Sequence, residues 1–149
     1  MYCSLVFGLF ITITGGVFYD EDHRIETCTA VYQEAVRQGV DPDLAISVAW
    51  LESRWYASAK NKKSGALGPM QVLPKYWCPN KDGVWRIHEY GVRKGCNLTQ
   101  AGVRALKYYT TTRKSIESAL ADYGNTSKKS AYVRQVKRLV RGAKNKRTP

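Results

Sequence analysis

Among its four cysteines the chain has no Cys-x-x-Cys pair, and it holds only two histidines, His23 and His88. That removes the usual spacing of a structural zinc site and leaves Cys78, His88 and Cys96 as a poor metal-ligand set. Nothing repeats along the 149 residues, which excludes solenoids and propellers. No run alternates like a half-buried strand, apart from a short hairpin expected around Asp82-Gly83. Acidic residues stop at Asp122, yet Lys128, Lys129, Arg134, Lys137, Arg138, Arg141, Lys144, Lys146 and Arg147 follow. Trp and Phe are missing from that basic stretch, so it offers no platform on which bases stack.

The apolar start is also incomplete as an export signal. Tyr2 to Phe18 contains no charged side chain and is closed by Asp20-Glu21-Asp22, but no Lys or Arg precedes it and no Ala-x-Ala follows. Its length suits a signal-peptide core better than a full membrane span. The expectation is that residues 1–18 deliver the protein across a membrane or anchor it there. The other reading is a buried N-terminal helix, which Gly8, Gly15, Gly16 and the β-branched Ile11-Thr12-Ile13-Thr14 weaken in water. Residues 19–141 then form the folded domain, and 142–149 a basic flexible tail.

What remains is a mainly helical domain large enough for a single core. Its formal charge of +12 implies attraction to a polyanion: cell wall, anionic lipid or nucleic acid. In residues 25–38, Ile25, Cys28, Val31, Tyr32, Ala35 and Val36 recur at helical spacing, and Gly39 supplies a stop. Cys28 reads as a small buried residue on that face. Asp41-Pro42 is a cap followed by proline at the first helical position. Leu44, Val48, Leu51 and Trp55 form the next core stripe. Asn97 caps a helix to about residue 111, and Ser115 caps another through Tyr123. A last helix over 130–141 buries Val133, Val136, Leu139 and Val140.

Glu52 stands out in this frame. The run Ala45-Ile46-Ser47-Val48-Ala49-Trp50-Leu51-Glu52-Ser53 is apolar until its one carboxylate, and Glu52 falls one turn beyond Val48, on the flank of the core stripe. Loss of hydration penalises its charged form and raises its pKa toward that of a useful proton donor. A glycine-rich turn follows, Gly65-Ala66-Leu67-Gly68-Pro69-Met70-Gln71, then Pro74.

An apolar helix ending in Glu-Ser, followed by Gly-x-x-Gly-x-Met-Gln-x-x-Pro, resembles the lytic transglycosylases of the lysozyme-like superfamily. The likeness spans roughly residues 28–139. It includes Asn97-Leu98, Gly102, and Ala119-Leu120-Ala121-Asp122-Tyr123-Gly124, where the family usually shows Ala-Tyr-Asn-x-Gly. The resemblance implies cleavage of the β-1,4 bond between N-acetylmuramic acid and N-acetylglucosamine with formation of 1,6-anhydromuramic acid. Glu52 would act as acid and then base, and no cofactor is required. It also implies roles around the acid. Ser53 would bond Glu52 or the substrate, or else be a surface serine. Gly68 lets the chain turn, Met70 lines the cleft floor or fills the core, and Gln71 offers an amide to the sugar. Tyr123 would orient the acid or the sugar, or else pack as a core aromatic.

Two departures stand out: Pro69, in place of a small or aliphatic residue, and Gly124, in place of Asn. Asn125-Thr126-Ser127 lies beside the missing amide. Goose-type lysozymes share the fold and the Glu but use further carboxylates, for which Asp82 and Glu89 are candidates. A non-catalytic wall-binding component is a third class. If the protein is exported, Cys78 and Cys96 form a disulfide; otherwise they stay reduced. The family likeness points to the cell envelope and to a phage virion or secretion machine. The basic C-terminus would dock such an assembly, adhere to the wall, or contact nucleic acid.

Overall fold

The structure, a computed structural model, describes residues 2–78, 92–93 and 95–147. In order these form α1 (Tyr2–Thr14), α2 (Glu21–Gln38), α3 (Pro42–Ser53), α4 (Pro74–Trp77), β1 (Val92–Arg93), β2 (Cys96–Asn97), α5 (Leu98–Thr112), α6 (Ile116–Gly124) and α7 (Lys129–Arg147). The architecture is mainly helical, as expected.

The caps explain where the helices start and stop. Gly39 ends α2 in the left-handed conformation at φ 75°. The Asp41 carboxylate then accepts from the Asp43 N–H at 2.9 Å, with Pro42 at the first position of α3. Asn97 caps α5 by accepting from Gln100 N–H at 3.0 Å, and Ser115 and Ser118 cap α6 reciprocally. The only β-structure beyond isolated bridges, among the described residues, is the antiparallel pair β1–β2, which sets Val92 opposite Asn97 and Arg93 opposite Cys96. The Asp82-Gly83 turn lies outside the described residues.

Helix α3 is the centre of the molecule. Every residue from Asp43 to Trp50 is buried, as expected of a helix apolar nearly all round. Helices α1, α2 and α7 surround it. A second cluster, Leu67, Val72, Leu98, Ala101 and Ala105 with Cys78 and Cys96, packs under the glycine-rich loop. Cys78 and Cys96 are joined in a disulfide with Cα atoms 5.4 Å apart.

Three expectations need correction. The apolar N-terminus, expected as a signal or anchor, packs as a core helix. Val6, Phe7 and Phe10 of α1 are buried, with Phe10 5.4 Å from the Trp55 ring and Phe7 edge-on to Trp50 at 5.9 Å. The Trp50 indole N–H donates to Thr14 Oγ1 at 2.9 Å. A helix of 13 residues is only about 20 Å long, against a hydrocarbon layer of about 30 Å. No helix among the described residues is long and apolar enough to cross a membrane. Cys28 is also not merely a small buried residue, because it forms a disulfide with Cys3 that ties α1 to α2.

The third correction concerns the C-terminus. Helix α7 does not fray at Gly142 but runs to Arg147. Ala143 is buried, and Arg147 and Lys144 both reach the fully buried carboxylate of Asp43, the latter at 3.2 Å. Tyr2 donates its hydroxyl to the same carboxylate and to the Ala143 carbonyl. Both ends of the described chain thus meet on one acidic residue.

Candidate active site

Glu52 sits in the last turn of α3, where the helix emerges from the core. It lines a cleft of about 620 Å³ together with Gln71, Tyr76, Trp77, Tyr109 and Tyr123. It also lines a hollow of about 290 Å³ with Gly124, Tyr132 and Gln135. The acid therefore stands where two concavities meet.

Burial pushes the Glu52 carboxyl up from 4.5 to about 7. One contact opposes that rise: the Tyr132 hydroxyl donates to Glu52 Oε2 at 2.7 Å. Both phenols near the acid, Tyr123 and Tyr132, are held well above 10, first by burial and then by the Glu52 charge. They therefore stay protonated and serve as donors. A carboxyl raised this far is available in both forms around neutral pH, as one that both gives and takes a proton must be.

The glycine-rich loop closes one wall. Gly68 has φ +85°, and a Cβ there would stand 2.8 Å from Leu98 Cβ, so both the turn and the packing require glycine. Met70 is fully buried beneath the loop. Gln71, itself at φ 53°, lines the cleft with its amide nitrogen committed to the carbonyls of Gly68 at 2.9 Å and Ala59 at 3.2 Å. Its amide oxygen is the part left to accept from a ligand.

Three residues singled out in the sequence take other places. Ser53 bonds neither Glu52 nor the cleft: its hydroxyl donates to the Pro69 carbonyl at 2.7 Å and joins the end of α3 to the loop. The Tyr123 hydroxyl goes to the Met70 carbonyl at 2.7 Å, so this ring braces the loop from α6. Asn125, in the left-handed conformation at φ 42°, ends α6 and lines the cleft beside Gly124, which sets an amide one position beyond its usual place. Asp82, Glu89 and His88 lie outside the described residues.

Tyr132 is the residue that sequence reasoning passed over. Its signal was present but weak: it lies four residues before Val136 and seven before Leu139, on the inward face of α7. Gly124 explains how the ring reaches Glu52. A Cβ at position 124 would lie 2.8 Å from the Tyr132 ring carbons, so the glycine that departs from the family pattern leaves the space the tyrosine occupies.

An acid held near neutrality where two hollows of a helical domain meet suits proton transfer to and from a ligand. The transglycosylase SLT domain family matches residues 29–144, and the chain belongs to that family, the lytic transglycosylases of the lysozyme-like superfamily. Comparison with curated proteins and with solved structures gave no match.

Proposed function

We propose that the protein cuts the β-1,4 bond between N-acetylmuramic acid and N-acetylglucosamine in peptidoglycan and leaves 1,6-anhydromuramic acid. The observation that carries this reading is the half-buried Glu52, whose desolvated carboxyl is raised to about 7, with one phenolic donor on it. In its protonated form Glu52 gives its proton to the glycosidic oxygen as the bond to C1 breaks. The resulting carboxylate, steadied by the Tyr132 hydroxyl, takes the proton of the muramoyl C6 hydroxyl. That oxygen closes on C1, and Glu52 is again protonated. The nucleophile belongs to the substrate, so the paired carboxylates of most glycosidases are not needed. Sugars on either side of the cut bond would occupy the two hollows that meet at Glu52, with the Gln71 amide oxygen accepting from an acetamido N–H.

Besides Glu52, the one carboxylate among the described lining residues is Asp122, and it is held by Arg113 at 2.6 Å instead of being free to activate water. Two disulfides suit an oxidising compartment, which supports action in the cell envelope; local wall opening by a virion or secretion machine is the setting we infer. Mass spectrometry of soluble products from purified peptidoglycan, beside Glu52→Gln, tests the activity. Anhydromuropeptides that vanish in the variant are expected. Products one water heavier would establish hydrolysis, and intact glycan from folded protein would leave only a wall-binding role.

A further inference from the structure

In the wall of the cleft that Glu52 lines stands a charged group that cutting a neutral sugar chain does not call for. Arg113 lines the cleft just beyond the end of α5. Its Nε donates to Asp122 Oδ2 at 2.6 Å and its Nη1 to Thr112 Oγ1 at 3.0 Å. The guanidinium lies over Tyr109, 5.0 Å from the ring centre, with Tyr108 at 5.8 Å. Tyr109 in turn packs edge-on against Tyr123 at 5.9 Å. A third of the Arg113 side chain remains exposed. Lys129 adds a second cation 3.9 Å from the other Asp122 oxygen, so two positive groups face one carboxylate.

We propose that Arg113 forms a subsite for a carboxylate of the peptide stem carried by the muramic acid. This rests on the reading of peptidoglycan as substrate and narrows it to stem-bearing strands. The sugar backbone offers hydroxyls and acetamides, which amides and aromatic rings recognise; the anionic groups of a strand are the carboxylates of its stems. A guanidinium fixed by a carboxylate on one edge and by aromatic rings on its face is pre-organised for a second, bidentate carboxylate. Among the described residues, three of its five donors are engaged, counting the neighbouring Tyr108 hydroxyl. Asp122 positions the fork, and the surplus charge of Lys129 keeps the station attractive to an anion.

The test compares intact peptidoglycan with strands stripped of their stems by an amidase and then capped as methylamides at the lactyl carboxylates this exposes, so that the stripped strands carry no anion. Cutting is measured with the wild type and Arg113→Gln, and binding by co-sedimentation with each in a Glu52→Gln background. The preference for stem-bearing over stripped strands should fall about tenfold in Arg113→Gln, chiefly in KM, and recover partly in Arg113→Lys, which keeps the charge without the fork. A preference that does not change, or an equal loss on both substrates, overturns the proposal and leaves Arg113 as a brace between α5 and α6. If the wild type cuts neither substrate, the catalytic reading fails, while the binding preference still decides the subsite.

Discussion

Replacing Glu52 by Gln should stabilise the folded protein, and only above mildly acidic pH. The carboxyl titrates at its ordinary 4.5 in the unfolded chain and at about 7 in the folded one. Below pH 4.5 both states carry the proton and the group contributes its full stability. As pH rises, the unfolded chain ionises first, so stability falls by about 1.4 kcal/mol per unit until the folded carboxyl also ionises near 7. The accumulated loss is about 3 kcal/mol, and glutamine does not titrate. Other titrating groups cancel in the difference between the two proteins. Relative to its value at pH 4, the stability of Glu52→Gln minus that of the wild type should therefore grow by about 3 kcal/mol at pH 8. In a domain of this size that is about 6–12 °C in Tm. Urea titrations followed by the fluorescence of the buried Trp50 and Trp55, with disulfides intact, measure it directly. A difference that stays flat between pH 4 and 8 would refute the desolvated carboxyl and the acid–base role built on it.

Tyr132→Phe removes the one hydrogen bond that favours the carboxylate, so the alkaline fall in activity should move above its wild-type position near pH 7. Its kcat on peptidoglycan should drop about tenfold, the worth of one bond to a charged group. Gly124→Ala would ordinarily favour a helix end, but here its Cβ meets the Tyr132 ring. A loss comparable to Tyr132→Phe is expected, with circular dichroism unchanged; full activity would show that the close approach is dispensable. Phe10→Ala should cost about 3–5 kcal/mol in denaturant titration, because Phe10 is fully buried between Trp50 and Trp55. A change below about 1 kcal/mol would mean that α1 is not part of the core.

The acid was legible because its signal is local. A helix apolar on nearly every side with one carboxylate in its last turn buries that group wherever the helix packs, and Gly68 marks a turn from sequence alone. Tyr132 was not legible, since it lies 80 residues from Glu52 and meets it only through the packing of α7 on α3. The same holds for Ser53 and Tyr123, whose hydroxyls go to Pro69 and Met70 carbonyls that no spacing rule anticipates. The packing of the N-terminal run was hidden for a different reason. Apolar length alone does not separate a short lipid-facing segment from a core helix. What decides here is the pair of indole rings at Trp50 and Trp55, together with Cys28, all of which take partners from α1.

The basic C-terminus then acquires a structural explanation that its composition concealed. Lys129 stands near Asp122, Lys137 pairs with Glu117, and Lys144 and Arg147 converge on Asp43. Part of the charge run is thus spent inside the domain, and only Lys128, Arg134, Arg138, Arg141 and Lys146 are exposed with no acidic partner among the described residues. The spent part matters for catalysis. Asp43 opens α3 and Glu52 lies in its last turn, while α7 holds Asp43 through Lys144 and Arg147 and Glu52 through Tyr132. One helix therefore splints the acid-bearing helix at both ends, and Ser53 ties its exit to the loop that walls the cleft. A carboxyl that must stay desolvated yet open to a glycan needs such a rigid mount, because a small tilt of α3 would either flood it with water or close it off.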